Sequence, residues 1–235
     1  MKFRVLVCCL LVWGSLPGWA MPGIGALGLS GARSFCAFNP SLDRSETAAE
    51  SPSFQEKKGD KKADAEQLAR ALDYFSSEKF HECLILLQPL NRRYKLNPRY
   101  RAYLAVCLYY EWEYDEAVKL FDEVIPQLQG VAPHELSLYY WMDAESYFAL
   151  QQYGCALPLY EKMLPLCRDN EKPDAYYRMG FCHLFAAESS GSSAEERKKA
   201  KECFELSLQG YLKYRNTPNE KARIAQIRHM IGGLK

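Results

Sequence analysis

Apolar residues fall into a helical rhythm from Ala63 onward and keep it almost to the end of the chain. Leu68, Ala71, Leu72 and Phe75 share one face of a first predicted helix, and Cys83, Leu84, Leu87 and Leu90 share a face of its partner. The pattern then predicts helices over 103–112, 115–128, 135–150, 155–167 and 174–187. Asn97 and Pro98 supply an N-cap and a proline in a first turn, where the missing N–H costs nothing. Gly130 to Pro133 reads as a loop, and residues 188–193 break the rhythm again. Ser193 with Glu196, and Thr217 with Glu220, have the spacing of capping boxes. The first opens a long helix to about Tyr214; the second opens a last helix with Ile224, Ile227 and Ile231 on one face. No segment alternates with period two for long enough to be a strand, so the fold class is all-α.

The helices come in pairs. The small residues that open the second members stand at Cys83, Ala117 and Ala156, in steps of 34 and 39 residues. The loop at 130–133 accounts for the longer step. A period in this range signals stacked helical hairpins, in which each pair buries its apolar face against its neighbours and the array serves to hold other proteins.

The paired pattern resembles the tetratricopeptide repeat. The best match is Tyr103-Leu104-Ala105 with Leu108, Tyr114, Ala117, Phe121 and Val124. Ala144 with Tyr147, Tyr153, Ala156 and Tyr160 gives a second, and Ala71 with Tyr74, Phe80 and Cys83 a third. Met179-Gly180 with Ala200 and Phe204 gives a fourth if its turn is lengthened. The small residues let two helices approach closely, and the large aromatic fills the volume behind them. Pro89, Pro126 and Pro165 depart from the pattern and should bend or stop their helices early. The resemblance implies a right-handed superhelix of about four hairpins over 63–235, closed by a C-terminal capping helix that keeps the last core dry.

It also implies a concave groove lined by the first helix of each pair. Carried over by position, that surface holds Arg99, Ala102, Val106, Tyr109 and Tyr110 on one helix, then Leu138, Trp141, Glu145 and Phe148 on the next. Tyr177, Phe181, Leu184 and Phe185 continue it. Aromatic anchors offer large contact area at little rotamer entropy, so the groove suits an extended peptide or a helix with apolar side chains. Tyr109, Trp141, Phe148 and Tyr177 are the expected contacts; the alternative is that these rings are interhelix core. Some relatives grip a terminal carboxylate with Lys and Asn, but Leu68, Leu72, Ala102 and Val106 stand at those places here.

The first 62 residues differ in kind. Lys2 and Arg4 precede an apolar run from Val5 to Leu16, and Gly18-Trp19-Ala20 offers a cleavage site, so 1–20 reads as a signal peptide. An uncleaved anchor extending to about Leu29 is the alternative, weakened as a helix by Pro17, Pro22 and several glycines. Neither Cys8, Cys9 nor Cys36 has the context of a lipid-modified cysteine. Residues 21–62, rich in Gly, Ser, Pro, Glu and Lys, form the expected flexible linker. Such a protein would be exported to the periplasm or cell envelope of a bacterium.

With 48% hydrophobic and 13% aromatic residues the chain can build a core. A net charge of +1, or −1 without the leader, gives no general pull on nucleic acid or anionic lipid. The run from Lys57 to Lys62 contains Asp60 and reads as solvated linker. Membrane contact is expected only if the leader is retained.

Candidate chemistry is sparse. Cys36, Cys83, Cys107, Cys155, Cys167, Cys182 and Cys203 lie outside the leader and contain no Cys-x-x-Cys. Cys182-His183 and the pair His81 and Cys83 are isolated, so no metal site is expected. In an oxidising compartment Cys182 with Cys203, and Cys83 with Cys107, would be the candidate disulfides, and the odd total leaves at least one thiol unpaired. His81, His134, His183 and His229 have no nucleophile or carboxylate at a recognisable spacing, and there is no phosphate loop. The expectation is a non-catalytic adaptor or assembly factor without cofactor or small-molecule substrate. Its rivals are a secretion chaperone resembling the type III class and a thiol-redox accessory of an envelope enzyme.

Overall fold

The computed structural model describes residues 60–189 and 193–234, all within one unit spanning Cys36–Lys235. The expected leader (1–20), nearly all of the linker (21–62), Cys36, and the Ser193 side chain with its capping box lie outside the described residues. Those residues form nine α-helices and no strand. They are α1 (Lys61–Ser76), α2 (Phe80–Tyr94), α3 (Pro98–Tyr110), α4 (Tyr114–Val124), α5 (Pro133–Ala149), α6 (Tyr153–Met163), α7 (Lys172–Ser189), α8 (Ser193–Tyr214) and α9 (Lys221–Gly233). Each helix packs on the next along the chain, so α1–α2, α3–α4, α5–α6 and α7–α8 are stacked hairpins and α9 leans on α8.

Small residues set the approach of the helices. Ala71, Ala105 and Ala144 on first helices, and Cys83, Ala117, Ala156 and Ala200 on second helices, are all fully buried. Behind them lie Phe121, Tyr160 and Phe204, also without exposed surface. At the matching place on α7 the residue is Gly180, and a Cβ there would stand 2.6 Å from the Phe204 ring. The last hairpin therefore closes more tightly than the others.

Caps and prolines act locally. The Asn97 side chain accepts from the Tyr100 N–H at 3.0 Å, and Pro98 sits in the first turn of α3. Pro126 stops α4 at Val124, and a short 3-10 turn over Ile125–Gln127 follows. Pro165 lies beyond the end of α6 at Met163. Pro89 does not stop its helix: α2 runs through it to Tyr94. Ile85, whose carbonyl loses its helical partner to the ring, is 55% exposed. The capping box expected from Thr217 and Glu220 is not made; the chain takes a 3-10 turn there, and Glu220 pairs with Arg215 at 2.5 Å.

Three hairpin turns share one geometry. Glu78, Trp112 and Gln151 have φ of 59°, 66° and 60°, and each lies just past the end of its first helix. At the second, the Trp112 N–H donates to Tyr109 O at 3.1 Å and the Glu113 N–H to Leu108 O at 3.0 Å. The same bonds recur from Glu78 and Lys79, and from Gln151 and Gln152. This is the Schellman arrangement, which satisfies the last carbonyls of a helix and normally takes glycine at the left-handed residue. None of the three is glycine.

The cysteines of the two expected disulfides are not joined in this structure. Cys83, Cys107, Cys182 and Cys203 are buried free thiols. Cys83 occupies the place held by alanine in the other second helices, so it serves as a small core residue. A hydrogen bond with Cys83, followed by burial, pushes the Cys107 thiol up. Burial pushes Cys182 to about 12 and Cys203 to about 11.

Candidate protein-binding face

The expected groove residues divide into two groups. Tyr109 on α3 and Glu145 and Phe148 on α5 meet around a side chain that periodicity does not reveal, and Phe185 on α7 joins them through Phe148. Arg178 on α7 donates from Nη2 to Glu145 Oε2 at 2.7 Å, and its guanidinium lies 4.7 Å from the Phe148 ring centre. Tyr160 on α6 donates its hydroxyl to Glu145 Oε1 at 2.5 Å. Glu145 is buried and both of its oxygens are satisfied. Burial opposes the Arg178 charge, but Glu145 and the Tyr160 phenol outweigh it and hold the guanidinium pKa above its ordinary value. Burial first, and Glu145 second, push the Tyr109 phenol upward, so it stays a neutral donor.

Half-buried rings surround that pair. Phe148 meets Tyr153 edge-on at 5.2 Å and Phe185 at 6.3 Å, while Tyr153 and Phe185 stack at 4.4 Å. Tyr109 approaches Tyr114 at 6.0 Å, and Phe181 runs alongside Phe185 at 6.0 Å. Trp141 is half-buried, its ring tilted against Tyr160 at 5.5 Å. A guanidinium held against an aromatic face and fixed by a carboxylate is a rigid, partly desolvated platform.

The remaining residues lie elsewhere. Arg99 is exposed and spans to α5, bonding Glu135 at 2.9 and 3.2 Å and Tyr103 at 2.9 Å. Tyr110 turns toward α2 and stacks on Phe80 at 4.0 Å. Ala102 and Val106 are core. Tyr177 is only 5% exposed: it packs with Phe204, Ile224 and Ile227, and Arg223 of α9 lies 4.3 Å from its ring centre. Its expected role as a ligand contact gives way to one in the core beneath α9, and Phe181 packs against the same cluster.

Asp143 escaped the sequence reading entirely. It is 1% exposed on α5, and neither carboxylate oxygen has a hydrogen-bond partner. Burial first and Asp122 second push its pKa up to about 8, against the pull of Lys162. It sits between the apolar equivalents Leu104 and Met179 of the neighbouring repeats, which is the one signal that would have marked it. Among the described residues no group of three His, Cys, Asp or Glu could hold a metal ion, and no helix is long and apolar enough to cross a membrane.

Comparison with known proteins adds the fold. A scan against models of protein families finds no match, and a search of curated proteins finds none either. Among solved structures, the chain is similar to a variant of a Podosopora anserina protein of nearly identical TPR-like repeats, described as a kinesin light chain. That match has 16% identity over 72% of this chain and 86% of the other, with a TM-score of 0.50. MamA AMB-1 aligns at 12% identity over 74% of this chain and 93% of its own, with a TM-score of 0.48. MamA 41-end from Desulfovibrio magneticus RS-1 aligns at 16% identity over 76% and 95%, with a TM-score of 0.44. The described helices form a solenoid of the TPR-like kind.

Proposed function

We propose that this protein is a non-catalytic interaction scaffold that captures a segment of a partner protein across the half-buried rings of Tyr109, Phe148 and Phe185. The observation that carries this reading is the Glu145–Arg178 pair beneath those rings, a fixed polar anchor inside an apolar surface. A partner's apolar side chains would cover the rings, while polar groups on its backbone would meet the edge of Arg178 and the Tyr109 hydroxyl. The sequence of the first 20 residues supports export, and we assign the activity to a bacterial envelope on that ground. The raised pKa values of Cys182 and Cys203 oppose the thiol-redox reading, since a reactive cysteine needs a depressed one.

The test places a photo-cross-linker at Phe148 in the full chain, in its native host, with identification of the captured protein. Phe148→Ala with Tyr109→Ala should weaken binding of that captured protein at least tenfold while changing the melting temperature little. Undiminished binding by the double variant would overturn the reading.

A further inference from the structure

The turn between α3 and α4 is unlike its two counterparts. Glu78 and Gln151 hold the left-handed position of their turns with polar side chains, whereas the α3–α4 turn places Trp112 there at φ 66°. Bulky residues avoid that conformation because Cβ crowds the following carbonyl. The side chain is also 72% exposed, the most of any large hydrophobic residue among those described, so burial in this chain does not compensate for the strain. Strained residues of this kind collect at functional sites.

The charged residues flanking Trp112 in the chain carry one sign. The segment from Glu111 to Glu116 holds Glu111, Glu113, Asp115 and Glu116 and contains no basic residue. Glu111 is engaged by His81 at 2.8 Å. Glu113, Asp115 and Glu116 are exposed and form no ion pair among the described residues. Acids in the first turn of α4 favour its dipole, which accounts for Asp115 and Glu116 but not for the exposed indole. An exposed indole flanked in sequence by exposed carboxylates attracts cations twice over, through the ring quadrupole and by ion pairing. The same charges repel nucleic acid and anionic lipid.

We infer that the α3–α4 turn is a second docking site, beyond the Tyr109 edge of the ring-lined face, which takes a basic protein segment whose Arg or Lys packs on Trp112 and pairs with Glu113, Asp115 and Glu116. Binding is salt-sensitive because the charges are at the surface.

The test uses the full chain and a fluorescein-labelled peptide of alternating Arg and Leu, read by polarisation. Saturable binding is expected that weakens as salt rises. Trp112→Asn should lose at least tenfold in affinity while melting at the same temperature or higher, because asparagine tolerates the left-handed turn. Glu113→Gln with Asp115→Asn and Glu116→Gln should lose as much, and Phe148→Ala should bind as the parent does. The proposal is overturned by any of three results: no saturable binding by the parent protein, equal affinity for a Glu–Leu peptide, or a peptide retained by Trp112→Asn. A peptide lost from Phe148→Ala alone would locate it on the ring-lined face, overturning this site and leaving the scaffold reading intact.

Discussion

Trp141 and Tyr177 hold matching places on α5 and α7, yet one ring is half-open and the other is core. Trp141 rests edge-on against Tyr160. Tyr177 is capped by Arg223 and packs with Ile224 and Ile227 of α9. The last hairpin is tighter too, with Gly180 under Phe204 where α5 has Ala144 beside Tyr160. A repeat position therefore fixes where a ring points, and the following helix decides whether it remains available. The end of the stack buries under α9 the same position that its middle leaves half-open.

The largest effect should separate these two regions by stability. Tyr177→Ala is expected to cost about 3 kcal/mol in urea unfolding, by loss of a packed ring. Phe148→Ala should cost less than about 1 kcal/mol, since its ring is half-solvated already. Equal costs would erase the distinction. Next in size, Gly180→Ala should destabilise by about 1–3 kcal/mol through overpacking against Phe204, although alanine favours a helix by about 1 kcal/mol over glycine. A stabilised variant would mean that the last hairpin is no tighter than the rest.

The subtlest contrast lies inside the α5 repeat. Asp143 stands where its neighbours carry Leu104 and Met179, and its pKa is raised to about 8 from an unfolded value near 3.9. The folded state thus holds a proton that the unfolded chain releases, and this group's contribution to stability, full at low pH, declines as pH climbs from about 4 to 8. Asp143→Asn should remove that slope: the two proteins should differ least near pH 4 and most near pH 8, with the variant the more stable there. Parallel stability curves across that range would show the carboxyl to be ionised in the fold.

Much of this architecture was legible because close helix packing demands small residues at fixed intervals. Ala71, Ala105, Ala144 and Gly180, with their partners Cys83, Ala117, Ala156 and Ala200, mark the hairpins in the sequence itself. The turns were not legible, since a Schellman end is normally read from its glycine and here holds Glu78, Trp112 and Gln151. Arg178 was hidden for a different reason. Its partner Glu145 lies 33 residues away, and a pair across two helices leaves no mark on either helix's own period. Tyr177 was misassigned because a ring facing a groove and a ring facing the next helix obey the same spacing; only the position of α9 tells them apart. Pro89 does not end α2, and the carbonyl it frees belongs to the exposed Ile85.

The helix laid across the last hairpin also changes the chemistry that the stack presents at that end. Its exposed positions include Lys221, Gln226, Arg228 and His229 and no Phe, Tyr or Trp. Another hairpin docked on that side would meet charged groups instead of the rings that the inner helices present to one another.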